Sequence, residues 1–242
     1  MAGIDLDFIF RFLNITLIDL ALSGDNAIVI GMAAAALPQG KRKWAVILGG
    51  GLAIVLRIGL TTIATLLTLI PYLSAVGGLV LVWVVYKLLR LDTSGGEEEG
   101  KTASNLRQAI VLILAADFMM SLDNVIAIAG SAHGSVPLLI AGLLISMPLL
   151  MMTGGFISTL IDKARWLVYV GAVAISFTAA RMVFEDKAVE ARLHLPGSLI
   201  FAIAGVSAFV IPGLCVLIDR ALDRRAKART AALEDERSLP SR

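Results

Sequence analysis

Apolar residues run along this chain in seven long stretches, at 8–37, 44–70, 72–91, 106–132, 136–161, 166–184 and 196–218. Short polar or charged segments separate them. Each stretch is near or above the roughly 20 residues an α-helix needs to cross a bilayer core at 1.5 Å per residue. In hydrocarbon every backbone N–H and C=O needs an internal partner, so the choice is helix or closed barrel. Barrel strands would be short and alternating, whereas these segments are long and apolar all round. The first stretch exceeds a straight crossing, which predicts a tilted or interfacial portion. It follows an acidic start without a basic leader, so it reads as a retained helix.

Composition agrees with a membrane chain. The hydrophobic fraction is 58% and the charged fraction 17%, where soluble domains carry about 25% charge. Too few polar residues remain to coat a water-facing surface. The net charge of +2 does not gather into a nucleic-acid patch. Sixteen Lys and Arg fall in alternate connections and the tail, and four (Arg11, Arg181, Lys187, Arg192) on the other side. The positive-inside rule then places the N-terminus outside and the C-terminus in the cytoplasm, and seven spans agree. The single Cys215 sits in an apolar stretch, and there is no Cys/His metal framework. The segment TSGGEEEGK at 93–101 is a solvated linker inside a longer cytoplasmic connection, 92–105. Residues 219–242 form a mixed-charge cytoplasmic tail, read as a short surface helix or a frayed end.

The chain repeats itself. Residues 18–31 read IDLALSGDNAIVIG and residues 116–130 read ADFMMSLDNVIAIAG. At an offset of 98 residues, Asp19 meets Asp117, Ser23 meets Ser121, Asp25 meets Asp123 and Asn26 meets Asn124. A repeated D-x-x-x-S-x-D-N inside two apolar stretches is not a coincidence of common apolar residues. The plan this predicts is all-α and polytopic: a three-helix repeat at 8–91, a second at 106–184 and a seventh helix at 196–218. Three helices per half would invert the second half in the membrane, as in many transporters.

Each buried carboxylate costs about 2.5–3.5 kcal/mol at the bilayer centre. Four would together cost roughly ten kcal/mol, comparable with the whole stability of a domain. Protons, cations or a wet cavity must offset them. One counter-charge is visible, Arg57, as counter-ion, gate or packing residue. On a regular helix Asp19, Ser23 and Asn26 share a face, while Asp25 lies about 120° away from Asp19. Gly24 could let the first motif unwind; Leu122 stands in its place in the second. Carboxylates, amides and hydroxyls suit Mg²⁺, Ca²⁺ or Mn²⁺. Met120 could add a thioether, which favours Mn²⁺ or later metals, or could simply fill a packing gap. The same choice applies to Met119, Met147, Met151 and Met152. Ser23 and Ser121 serve the site or their own helix backbone. His133 and His194 read as residues of the outer edge. Paired glycines at 49–51, 77–78 and 154–155 predict close helix approach, and Pro148 and Pro212 predict kinks.

At LSGDNAIVI (22–30) and MSLDNVIAIAG (120–130) the sequence resembles the TerC family of integral membrane proteins, within the LysE-like transporter superfamily. The layout is similar to its short bacterial members, of the YjbE/YkoY type. The resemblance implies a manganese exporter of the bacterial inner membrane, part of metal homeostasis. It carries over Asp19, Asp25, Asn26, Asp117, Asp123 and Asn124. The longer members' additional spans are missing here, and that departure leaves the motifs untouched.

The expected function is therefore a secondary transporter exporting a divalent cation, Mn²⁺ first, by H⁺ or Na⁺ antiport through a midplane site. The expected ligands are Asp19, Asp25, Asn26, Asp117, Met120, Asp123 and Asn124. The metal is cargo, and no cofactor is expected. Partners are the metal ion, the coupling ion and the bilayer, with a homodimer left open and nucleic acid excluded. Two alternatives stay open: a carrier of Ca²⁺, Na⁺/H⁺ or a cationic amino acid, and an intramembrane aspartyl enzyme or assembly protein.

Overall fold

A computed structural model describes residues 6–63, 70–93, 102–131 and 136–238. It is helical throughout these segments. In chain order the helices are α1 (Leu6–Leu22), α2 (Gly24–Ala35), α3 (Gln39–Thr62), α4 (Leu73–Thr93), α5 (Thr102–Ser131), α6 (Val136–Lys163), α7 (Trp166–Phe184), α8 (Lys187–Leu193) and α9 (Gly197–Ser238).

The expectation of seven spans needs correction. Among the described residues five helical segments are long and apolar enough to cross a membrane: 39–61, 73–90, 140–163, 166–184 and 197–221. A sixth is gained if α1 and α2 count as one bent span. The stretch 8–37 is not one helix: it breaks at Ser23, and its two parts are bent by 53°. The stretch 106–132 does form α5, but the side chains of α5 are described only for 106–122 and 124, short of a full crossing, and residue 132 lies outside the described residues. The three-plus-three-plus-one inverted plan and the N-out/C-in orientation, both tied to a count of seven, fall with it.

Two further expectations lie partly outside the described residues: the end of the second stretch at 64–69 and the linker from 94 to 101. The tail is neither short nor separate, because α9 continues unbroken for 42 residues. At 1.5 Å per residue that is about 63 Å, twice a bilayer core, so its second half must project beyond the membrane.

Lipid-facing side chains identify themselves. Phe10, Val55, Phe156, Phe201 and Phe209 are large, apolar and exposed, as expected where the surrounding solvent is hydrocarbon rather than water. Inside, α2, α4, α5 and α7 share the largest apolar cluster, which includes Val29, Leu81, Val84, Ile113 and Ile175. The motif helices pack crosswise: α2 lies along α6, α5 lies along α3, and α4 faces α7.

Glycines set these distances. A Cβ on Gly31 would come within 2.5 Å of Ile157, and one on Gly154 within 2.6 Å of Ile30, so α2 and α6 interlock reciprocally. On α4, a Cβ at Gly78 would strike the Ala179 carbonyl oxygen of α7. Gly49, Gly50, Gly77, Gly78 and Gly154 thus serve close approach, as their spacing suggested, whereas Gly51 and Gly155 face open space.

Two polar clasps hold the ends. Arg42 donates to the Ala35 carbonyl at the end of α2 at 3.1 Å and to the Leu37 carbonyl in the turn that follows at 2.8 Å. It also forms a bidentate pair with Asp162 of α6, a fork geometry for which guanidinium is suited. Asp186 caps two helices: Oδ1 accepts from Ala188 N and Val189 N at the start of α8, and Oδ2 accepts from Ala75 N at 3.2 Å in the first turn of α4. Gly78→Ala should therefore destabilise the α4–α7 contact by about 1–3 kcal/mol, while Gly51→Ala should be neutral or better. Thermal unfolding of the detergent-solubilised protein measures both; equal losses would contradict the packing described.

Candidate functional site

The break between α1 and α2 comes first, because it aims the polar groups. Ser23 has φ −107° and ψ 14° and stands outside both helices. Its N–H still bonds to the Asp19 carbonyl at 2.9 Å, and Asn26 N bonds to the Ser23 carbonyl at 3.1 Å. α2 therefore begins as a new helix whose first turn carries Asp25. A carboxylate there is favoured by the exposed N–H groups and the helix dipole, and Asn26 N donates to Asp25 Oδ1 at 3.0 Å. α5 carries the second motif without any such break.

Arg57 of α3 lies at the centre of the polar cluster and is 0% exposed. Nη1 donates to Asp19 Oδ1 at 2.5 Å and to Ser23 Oγ at 2.7 Å. Nη2 donates to Asp117 Oδ1 at 2.6 Å. Asp19 Oδ2 accepts from Ser146 Oγ of α6, also at 2.5 Å. Asn26 Nδ2 donates to Asp117 Oδ1 at 3.0 Å. Four helices and the break thus converge on one guanidinium. Two carboxylates and one cation leave a formal charge of −1 in a buried space.

Not every polar atom is used. Asn26 Oδ1 and Arg57 Nε are buried and have no hydrogen-bond partner among the described residues, while Asp117 and Ser121, one helical turn apart, meet only through a contact longer than an ordinary hydrogen bond. Buried polar atoms seldom go unpaired, and each such case asks for a reason. Here three oxygens able to accept from or coordinate a guest stand in the same cluster.

The two motifs also bond to each other. Asn26 of the first reaches Asp117 of the second. Asn124 of the second donates Nδ2 to the Leu22 carbonyl at 3.0 Å, satisfying an acceptor that the end of α1 would leave open. The paired asparagines therefore hold the break against α5.

The expected ligands divide between several places. Asp19, Asn26 and Asp117 come together around Arg57. Asp25 points elsewhere, as its helical offset from Asp19 suggested: its Oδ2 accepts from Thr178 Oγ1 of α7 at 3.3 Å. Met120 is buried in the largest apolar cluster. Asn124 sits at the α1 carbonyl end. The Asp123 side chain and His133 lie outside the described residues. Met147 is buried, Met151 packs on Gly50, and Met152 is exposed to the surround. No three His, Cys, Asp or Glu side chains converge on a common metal position among the described residues.

Sequence reading missed Ser146 and Thr178. Each is a hydroxyl in an apolar helix, a type that commonly bonds its own backbone, as Thr16 and Thr61 do here with Phe12 and Arg57 carbonyls. Only the fold brings them to a carboxylate.

Lipid-facing helices around a buried carboxylate–guanidinium cluster define a polytopic integral membrane protein, consistent with a place in the bacterial inner membrane. The chain belongs to the TerC family of integral membrane proteins, whose family model matches residues 4–227. It is similar to the uncharacterized membrane protein YjbE of Bacillus subtilis (strain 168), at 40% identity over 183 residues, 75% of this chain and 82% of that protein. It is also similar to the uncharacterized membrane protein YceF of the same organism, at 24% identity over 231 residues, 92% of this chain and 87% of that protein. No solved structure matches.

Removing Arg57 would leave two buried carboxylates without their cation. Arg57→Gln should destabilise the protein by about 3–5 kcal/mol, the usual cost of breaking a buried pair from one side. Adding Asp117→Asn should recover part of that loss. Thermal or denaturant unfolding of both variants checks this, and strict additivity of the two losses would contradict the pairing.

Proposed function

We propose that this protein is a secondary transporter that exports a divalent cation, Mn²⁺ first, using Asp19 and Asp117 as the charged centre of its cation site. The observation that carries the reading is the buried cluster of net charge −1 with an unpaired oxygen on Asn26 and a loosely held carboxylate–hydroxyl contact between Asp117 and Ser121. A net negative centre in hydrocarbon is costly unless something positive visits it. Carboxylate, amide and hydroxyl oxygens are hard donors that suit Mn²⁺, Mg²⁺ and Ca²⁺. The choice of Mn²⁺ among these rests on the resemblance to the TerC family.

Arg57 then has a specific part. It occupies the space between Asp19 and Asp117 and keeps both satisfied while no cargo is present. An incoming ion needs those oxygens, so Arg57 must withdraw as the metal enters and return as it leaves. Arg57 acts as a tethered counter-ion, and the site alternates between two positive occupants. The α1–α2 break gives the cluster a mobile edge, since half-helices at membrane depth line ion sites in transporters. Asp25, next to that break, is placed to accept the ion or a proton on the way. Outward movement against an inside-negative potential costs about 2.3 kcal/mol per charge per 100 mV, about twice that for Mn²⁺. H⁺ or Na⁺ antiport supplies that work.

An aspartyl hydrolase is disfavoured by the same geometry. Such an enzyme needs two facing carboxylates sharing a proton, whereas Asp19 and Asp117 are bridged by a guanidinium.

Proteoliposomes loaded with a Mn²⁺-sensitive dye test the reading. Wild-type protein should give saturable, pH-gradient-dependent Mn²⁺ flux. Asp117→Asn, which leaves Arg57 paired with Asp19, and Asp25→Asn/Asp123→Asn should each reduce it at least tenfold with the fold intact. Flux unchanged in both variants, or saturable Ca²⁺ flux without Mn²⁺ competition, would overturn it.

A further inference from the structure

Away from the polar cluster, an open cleft of about 700 Å³ runs between the first turns of α3 and the second half of α6. Ile47, Pro148 and Met152 are among its apolar walls, and Arg42, Lys43 and Asp162 stand at its mouth. Pro148 lies inside α6, where it removes a backbone donor along the cleft wall. At Gly155 a side chain would meet nothing within 4 Å, so the cleft is open there down to the backbone.

The mouth and wall are chemically distinct. Arg42 is neutralised by Asp162 and held by the α2 carbonyls. Lys43 is exposed and makes no ion pair among the described residues. Lys41 and Lys163 flank the same end, so the mouth is net positive. One turn below Asp162, Ser158 lines the cleft; it is 2% exposed and its Oγ has no hydrogen-bond partner among the described residues. A buried hydroxyl left unpaired is uncommon.

We infer that this cleft binds one anionic phospholipid. Its phosphate meets Lys43 at the mouth, Ser158 Oγ donates to an ester carbonyl of the glycerol backbone, and an acyl chain lies along Ile47, Pro148 and Met152 past Gly155. Three observations select this occupant. The walls are apolar and face the surround, so the filler is a hydrocarbon chain. The mouth is positive, so the head is an anion. The unpaired hydroxyl lies below the charge, where a phospholipid carries its esters. The inference does not depend on cation transport.

Protein purified in mild detergent is examined by native mass spectrometry and thermal unfolding, with phosphatidylglycerol, phosphatidylcholine and inorganic phosphate as separate probes. Phosphatidylglycerol should remain bound one per chain and raise the unfolding temperature; phosphatidylcholine and inorganic phosphate should do neither. Lys43→Gln should weaken phosphatidylglycerol binding about fivefold, the worth of one basic side chain near an anionic head. Gly155→Leu should block it by filling the cleft, and Lys187→Gln, at the exposed start of α8, should leave it unchanged. Equal binding of the two lipids, the same shift from inorganic phosphate, or undiminished binding in both Lys43→Gln and Gly155→Leu would overturn the assignment.

Discussion

Arg57 binds the structure together and limits what the structure can be. A guanidinium with no exposure must satisfy its charge inside the protein, and it does so with two carboxylates from different helices. Each partner brings further groups. Asp19 brings Ser146 and the α1–α2 break; Asp117 brings Asn26 and, through α5, the second motif. Remove the cation and two charges are stranded where solvation is poor. Remove one carboxylate and the pair remaining is neutral, but the net negative charge that would attract a metal is gone.

This arrangement explains why polar atoms are left over. A network built only for stability would satisfy every member, since a partly satisfied buried network is worse than an apolar one. Here Asn26 Oδ1 stands unpaired, and Asp117 and Ser121 hold each other only loosely, beside a cluster that is already charged. Spare acceptors and spare negative charge are what a site for an arriving cation requires. The crosswise asparagine bonds, Asn26 to Asp117 and Asn124 to the Leu22 carbonyl, tie the broken helix to the unbroken one, so movement at the break is felt in both motifs. The glycine contacts of α2 with α6 leave little slack for repacking between those two helices.

Much of the polar cluster was legible because charge in an apolar run stands out. Asp19, Asp117 and Arg57 could be picked from the sequence, and the divergence of Asp25 from Asp19 followed from helical angle alone. The bend at Ser23 had a visible cue in Gly24. The span count was not legible: an apolar run of thirty residues looks the same whether it is one tilted helix or two bent ones, because hydropathy carries no direction. Ser146 and Thr178 were hidden since a single hydroxyl is chemically ambiguous until its neighbours are known. Met120 was open between ligand and filler, and the fold surrounds it with Leu, Val and Ile. The glycines at 154–155 signalled a close approach, but that Gly154 meets Ile30 and Gly31 meets Ile157 is revealed only by the packing.

The central claim is that Arg57 and a metal ion compete for the same oxygens. The affinity of Arg57→Gln for Mn²⁺, followed by loss of the free-ion electron paramagnetic resonance signal in the detergent-solubilised protein, tests it directly. With the tethered cation gone, the account predicts Mn²⁺ binding at least about tenfold tighter than in the wild type, a difference of about 1.4 kcal/mol. Binding equal to or weaker than the wild type, in a variant that keeps its helical content, would contradict it.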